Sequence, residues 1–235
     1  FIGSHLVDRL LAEQHTVDVV DDLSTGSLAN LADARSVGGE LKIHHLDAGA
    51  PEFPALVSMR EPEVIYHLAA QSNPSLSMSD PRGTWAVNLG GTLNLLEAVK
   101  AASLKDRPRV ILVSSGVCYG NPPPQHLPVS EDCPLRPINP YAASKAAADL
   151  LGIQDHLAHG TDVVIVRPFN HAGPRQSSTY VLAGLAQQVV DVETGRKERV
   201  EVGNLDVVRD ITDVRDAEQV ARLLPEDSSK RPDAA

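Results

Sequence analysis

The chain has 235 residues, enough for one large domain. Apolar residues make up 42% and aromatics only 3%, so the core is built mainly from Val, Leu, Ile and Ala. A net charge of −10, from 31 acidic and 21 basic residues, argues against a nucleic-acid or anionic-membrane surface, while a small anion held by a few arginines or a helix N-terminus stays open.

In chain order, residues 3–13 read as a helix with Leu6, Val7, Leu10 and Leu11 on one stripe. A buried strand follows from His15 to Asp21, then a turn at Ser24–Ser27, a short helix to Arg35 and a second strand from Glu40 to Asp47. A weak helix at 51–59 precedes a third strand, Val64 to Ala70. A polar loop to Pro81 leads into one long helix ending near Ala102, with Leu89, Leu93, Leu96 and Val99 as its apolar stripe. The fourth strand is Arg109 to Ser115, followed by a Pro-rich loop over 121–140 and a helix to about His159. The fifth strand runs from Asp162 to Asn170. A helix at 180–194, a strand near 198–202, a short helix from Val214 to Leu224 and a polar tail complete the chain.

Continuous apolar strands alternating with helices predict a parallel sheet covered on both faces, a doubly wound α/β fold. In such sheets ligands sit outside the carboxyl ends of the strands, where Asp21, Asp47, Ser115 and Asn170 fall. The two cysteines, Cys118 and Cys133, make neither a disulfide framework nor a zinc set and fit a reducing, cytoplasmic setting. His44 and His45 point to opposite faces of their strand, and no His spacing suits a metal, so no metal is expected. No apolar run reaches about 18 residues, so no membrane span is expected. The N-terminus lacks both an initiator Met and a signal-peptide pattern, and reads as a fragment end.

The chemistry centres on Asn139-Pro-Tyr-Ala-Ala-Ser-Lys145. Tyr141 and Lys145 stand four residues apart before a strongly helical run, so they share one helix face. A cation beside a phenol is expected to lower the phenol pKa and suit proton transfer in carbonyl/alcohol chemistry. Ser115 is a candidate donor to a substrate oxygen, and Arg167, Arg175 and Arg209 are candidate phosphate holders. Gly3, opening the first helix, and Asp21 could be the last glycine and the ribose acid of a dinucleotide fingerprint; Asp21 then favours NAD over NADP.

Taken together, these stretches resemble the extended short-chain dehydrogenases/reductases, the NAD-dependent sugar-nucleotide epimerases, dehydratases and reductases. Phe1-Ile-Gly-Ser-His-Leu6 looks like the end of the family's glycine loop. Val20-Asp-Asp-Leu-Ser-Thr-Gly26 is similar to its adenosine-ribose segment, and His67-Leu-Ala-Ala-Gln71 to the loop under the cofactor. Asn88 matches the structural Asn; Ser114-Ser-Gly-Val-Cys-Tyr-Gly120 and Tyr141-Ala-Ala-Ser-Lys145 match the catalytic motifs. The resemblance implies a Rossmann-type nucleotide-binding domain over 1–170, its first strand preceding Phe1, and a small, truncated substrate-binding region over 171–235. It implies NAD, with NADP possible, held by Ile2, Gly3, Asp21, Asp22, Asp47, Ala69, Ala70, Asn88, Tyr141 and Lys145. Ser115, Tyr141 and Lys145 would be catalytic.

Arg167-Pro-Phe-Asn-His-Ala-Gly-Pro-Arg-Gln176 and Val202–Asp213 look like the branch acting on GDP-sugars, the 4,6-dehydratases and 4-keto reductases. Gln71, Ser115, Asn170, Arg175 and Arg209 would then meet the substrate, with Arg175 standing where the family usually has Gly. A dehydratase needs an acid two residues before the Tyr of Tyr119-Gly120, and Val117 cannot ionise. The reading is therefore a 4-keto-sugar-nucleotide reductase, with a 4-epimerase or 4,6-dehydratase as alternatives. The family also implies a homodimer through a four-helix bundle of helices near 82–102 and 141–158. The competing class is a non-catalytic scaffold or inactive fragment, because the phosphate-cradling glycines are not in this sequence.

Overall fold

The computed structural model describes residues 1–102 and 107–216. Two parallel sheets carry the fold. In one, β1 (Val17–Asp21) pairs with β2 (Leu41–His45); in the other, the order is β3 (Val64–His67), β4 (Arg109–Val113), β5 (Val163–Val166). A third, two-stranded parallel sheet joins β6 (Asn170–Ala172) to β7 (Ile211–Asp213). The five longer strands fall where the alternation of apolar runs placed them.

Helix α1 (Ile2–Ala12) and α2 (Ala32–Val37) cover the first sheet through a core of Val7, Leu11, Val17, Leu31 and Ala34. Helices α3 (Phe53–Arg60) and α6 (Gly91–Ala101) pack against each other and over β4 and β5. Their shared core contains Phe53, Val57, Leu95, Leu96, Val99, Val110, Leu112 and Val163. Helix α7 (Pro140–His159) lies on the same strands, with Gly152 closest: a Cβ there would sit 3.1 Å from Leu112 and 3.3 Å from Val163. The sequence encodes the bounds of α7 plainly. Asn139 caps it by accepting from the Ala142 N–H at 2.8 Å, Pro140 takes the first turn, and Gly160 ends it at φ 69°.

Three expectations change. The single helix expected to begin near Pro81 is a series of pieces. It starts earlier, as α4 (Pro74–Ser79), and restarts as α5 (Pro81–Trp85), with Asp80 capping the Gly83 N–H. It then passes through a π turn, Ala86–Gly90, before α6. Proline cannot continue the α4 ladder, and Asp80 offers the backbone a side-chain acceptor instead. No strand forms at 198–202; Val200 and Val202 are exposed, and the segment is tied to α8 (Val181–Glu193) only through Gln188 and Glu201. The fifth strand stops at Val166, and the chain resumes pairing as β6 with a different partner. Residues 214–216 are helical; the rest of the expected final helix and the tail lie outside the described residues.

His67, at the end of β3, is buried, and its Nε2 lies 3.2 Å from Thr92 Oγ1. The Thr92 hydroxyl already donates to the Asn88 carbonyl at 2.7 Å, so His67 must be the donor and carries its proton on Nε2. Burial, with the nearby Lys145 ammonium, pushes the His67 pKa down to about 3.

Two predictions follow from this packing. Leu96→Ala, at a fully buried core position, should lower unfolding free energy by about 2–5 kcal/mol in urea titrations. His67 stays neutral in the folded chain while the unfolded chain takes up a proton below the ordinary histidine value of 6.5, so stability falls as pH drops from 6.5 towards 3. The contribution reaches about 1.4 kcal/mol per pH unit. His67→Gln should flatten that part of the stability–pH curve; an unchanged slope would show His67 does not contribute.

Candidate active site

The carboxyl ends of β3 and β4 and the first turns of α7 converge on one place. Tyr141 and Lys145 are both buried on the same face of α7, as their spacing predicts. Ser115 follows β4 and opens the 3-10 turn Gly116–Tyr119; its Oγ accepts from the Val117 N–H at 3.4 Å. The Ser115 hydroxyl lies close enough to the Tyr141 phenol to act on its pKa. Lys145 Nζ donates to the Val113 carbonyl at 2.8 Å, on the strand that delivers Ser115. Ser115, Tyr141 and Lys145, chosen from sequence as the catalytic set, therefore stand together.

The electrostatics differ from expectation in one respect. The Tyr141 pKa is raised, not lowered: burial outweighs the effect of the Ser115 hydroxyl, and Cys118 and Tyr180 add to the rise. Lys145 points its ammonium at Val113 and is itself pushed by burial down to about 8, against the pull of Asp149 and Cys118. Desolvation of both groups has the larger effect.

The loops around the triad are locked by Asn88, which sits in the π turn and is buried. Its Oδ1 accepts from the Gln71 N–H at 2.8 Å, and its Nδ2 donates to the Gln71 carbonyl at 3.1 Å and to Ser144 Oγ at 2.9 Å. Ser144 donates in turn to the Tyr141 carbonyl at 2.8 Å. Asn88 thus spends its amide tying the segment after β3 to α7, and a π turn at such a point is common near functional sites. Gln71 is turned inward: its Nε2 donates to Thr84 Oγ1 at 2.9 Å and to the Asn73 carbonyl at 3.1 Å. Ala69 and Ala70 lie in the same segment, after β3.

At the other strand ends, Asp21 accepts from the Leu23 N–H at 2.7 Å, and Gly26 closes over its carboxylate, where a Cβ would come within 2.8 and 2.9 Å of the two oxygens. Asp22 accepts from the Ser24 N–H at 2.9 Å and its hydroxyl at 2.7 Å, which hold its carboxyl below the usual range. Asp47 accepts from the Gly49 N–H at 2.8 Å. Helix α1 has no side-chain cap, so Ile2 and Gly3 begin a helix whose first N–H groups no side chain caps. An uncapped helix start beside a strand-end carboxylate suits a dinucleotide, one feature facing phosphates and the other a ribose diol.

The candidate phosphate holders separate. Asn170 donates to the Asp210 carbonyl at 3.1 Å through the β6–β7 pairing, which brings it beside exposed Arg209. Arg175 lies elsewhere, at φ 70°, with ion pairs of 2.7 Å to Asp8 on α1 and to Asp33 on α2. Arg167 is committed to Asp149, which is fully buried on α7, at 2.7 Å, and to the Tyr119 hydroxyl at 3.1 Å. Sequence reasoning missed Asp149, although it stands four residues after Lys145 on the same face, a repeat of the spacing that marked Tyr141. It also missed Cys118, fully buried, whose Sγ lies 3.6 Å from the Ala142 carbonyl and 3.7 Å from Ser114 Oγ. Among the described residues no group of His, Cys, Asp and Glu could hold a metal ion, and no helix is long and apolar enough to cross a membrane.

Comparison with known proteins identifies the family. Residues 1–232 match the family model described as GDP-mannose 4,6 dehydratase. The GDP-6-deoxy-D-mannose reductase of Pseudomonas aeruginosa is 41% identical over 156 residues, which are 66% of this chain and 51% of that protein, so the chain spans about half the length of that relative. Among solved structures, RMD from Pseudomonas aeruginosa complexed with NADPH aligns with a TM-score of 0.76 at 33% identity, covering 89% of this chain and 73% of that one. UDP-N-acetylglucosamine 4-epimerase from Methanobrevibacter ruminantium M1, in complex with UDP-N-acetylmuramic acid, aligns with a TM-score of 0.84 at 29% identity, covering 97% and 70%. Matched along nearly its whole length and folded as these relatives are, the chain belongs to the GDP-mannose 4,6-dehydratase-like family of extended short-chain dehydrogenases/reductases.

Proposed function

We propose that this chain carries out nicotinamide-dependent hydride transfer at C4 of a nucleotide-diphosphate sugar, as a 4-keto-sugar-nucleotide reductase. The observation that carries the reading is the convergence of buried Tyr141 and Lys145 with half-buried Ser115 at the carboxyl ends of the strands. The dinucleotide supplies the hydride. Ile2 and Gly3 receive its phosphates, Asp21 and Asp22 its adenosine ribose, and Asp47, Ala69 and Ala70 border it. Asn88 keeps the loop beneath it in shape.

Tyr141 gives its proton to O4 while Ser115 hydrogen-bonds the same oxygen. A phenol whose pKa burial has raised is held in the protonated form at neutral pH, ready to donate in the reductive direction. Lys145, with a pKa of about 8, is mostly ammonium at neutral pH; it binds the nicotinamide ribose and offsets negative charge developing on the phenol. Asn170 and Arg209, near one another in position across the β6–β7 pairing, receive the nucleotide diphosphate, and residues 171 onward form the substrate-binding part. Gln71 borders the sugar through its backbone, and Arg175 braces the substrate-binding part rather than holding phosphate.

Neither Gly116 nor Val117 can ionise in the turn that carries Ser115, which disfavours a dehydratase. A 4-epimerase is the second reading, favoured by the Asp21–Gly26 loop and by the fold's likeness to an epimerase. A reducing, cytoplasmic setting is part of the proposal, supported by two buried free cysteines.

We also propose a homodimer. Leu150 and Leu157 on α7 are 61% and 72% exposed on the side away from Tyr141, and Leu93 on α6 is 46% exposed. Such a stripe fits a four-helix interface between two copies.

Tyr141→Phe should abolish turnover of 4-keto nucleotide sugars while leaving NADH or NADPH affinity within about two-fold by calorimetry. Full activity in that variant would remove the mechanism. In light scattering the chain should be a dimer and Leu150→Glu a monomer; a monomeric parent chain would contradict the interface.

A further inference from the structure

Asp149 is fully buried and has no part in the chemistry proposed above. Its Oδ2 accepts from Arg167 Nε at 2.7 Å. Arg167 Nη1 donates to the Tyr119 hydroxyl at 3.1 Å and to the Glu131 carbonyl at 3.3 Å, and the guanidinium lies 5.5 Å from the centre of the Tyr119 ring. Tyr119 stacks on Phe169 with ring centres 6.4 Å apart. Phe169 packs on Gly116, where a Cβ would come within 2.9 Å of its ring. The Gly116 N–H is held by the Pro168 carbonyl at 2.7 Å. Tyr119 and Gly116 are the two ends of the turn that starts after Ser115. One carboxylate on the helix of Tyr141 thus grips, through a single arginine, the turn that carries Ser115.

A buried carboxylate is costly, and a hydrophobic residue would fill the space with less desolvation. Asp149 also stands one helical turn beyond Lys145, so the two side chains share one face of α7. We propose that Asp149 is a positioning residue for the hydride-transfer site: through Arg167 and Tyr119 it fixes Ser115 against Tyr141, and it is the counter-charge that keeps Lys145 an ammonium. The inference rests on the hydride-transfer reading for its catalytic consequence, not for the Asp149–Lys145 coupling.

The charges around the pair are few. Lys145 faces Asp149 on its own helix, Cys118 from the Ser115 turn and His67 from β3. Burial raises the Asp149 pKa, and the Ser114 hydroxyl after β4, Arg167 after β5 and Lys145 on α7 act against that rise and favour the carboxylate; Arg167 in turn meets Tyr119. Cys118 stays a thiol, because burial raises its pKa, and His67 stays neutral. Asp149 is therefore the group that opposes the burial of the Lys145 charge.

The test uses the full chain with 13C-labelled lysine, the Lys145 signal being identified by its loss in Lys145→Met. In the parent chain the Lys145 titration midpoint lies near 8. In Asp149→Asn it should fall by about one pH unit or more, since the favourable charge is gone while the shape is kept. In Arg167→Gln it should fall less than in Asp149→Asn, because Asp149 keeps its carboxyl but loses the cation that favours its ionised form. With a 4-keto nucleotide sugar, both variants should lose about ten-fold or more in kcat with KM changed less than about three-fold, and the alkaline limb of kcat should move to lower pH further in Asp149→Asn than in Arg167→Gln. A role in folding alone would move the melting temperature of both variants without this graded shift of the Lys145 midpoint. An unchanged Lys145 midpoint in Asp149→Asn, or an unchanged kcat in both variants, overturns the proposal. If the parent chain turns over no nucleotide sugar, the functional reading fails by itself, and the Lys145 midpoint still decides whether Asp149 is its counter-charge.

Discussion

A helix can bury ionisable groups only if each finds a partner before it leaves water, and α7 buries three along one line. Tyr141 meets Ser115, Lys145 meets the Val113 carbonyl, and Asp149 meets Arg167. All of these partners come from β4, from the turn after it or from the segment after β5. The register of α7 against those strands is therefore fixed by polar contacts at one end and by close packing at the other. Gly152 supplies the packing by letting the helix approach Leu112 and Val163. The Asn139 cap and the Gly160 stop confine the helix to the length at which both sets of contacts are made.

The rest of the architecture serves that placement. The apolar core of α3 and α6 under β4 and β5 holds the strands, and the Asn88 amide holds the loop after β3 to the start of α7. A helix with an ideal α ladder throughout would carry each side chain about 100° round from the last. The π turn at Ala86–Gly90 inserts an extra residue into that ladder, and Asn88 sits inside it.

Much of this was legible in the sequence because it is local. Apolar runs of four to eight residues between helices gave the five longer strands, and the four-residue spacing of Tyr141 and Lys145 put both on one face. The cap, Pro140 and Gly160 are written in adjacent letters. What could not be read was long-range or cooperative. Arg167 looks like a surface cation until the fold brings Asp149 to it, and Arg175 looks like a phosphate holder until α1 and α2 present Asp8 and Asp33. The π turn depends on contacts with α7 and with the loop at Gln71, whereas the break at Asp80 is local, made by Pro81 and the Asp80 cap. The Val200–Val202 stretch has a strand's alternation but no neighbour to pair with among the described residues, and β6 and β7 are only three residues each. The phenol pKa followed burial, a property of the packed molecule that spacing along a helix cannot convey.

Cys118 gives this arrangement an internal reporter. Its thiol is wholly enclosed between the Ser115 turn and the first turn of α7, against the Ala142 carbonyl, and burial holds it in the unreactive protonated form. An alkylating reagent reaches that sulfur only when the turn and the helix part. Its rate of modification is then the intrinsic thiolate rate multiplied by the fraction of time the two elements stand apart. The chain thus converts a local opening of its chemical centre, which absorbance and scattering do not register, into a covalent mass increment that accumulates with time.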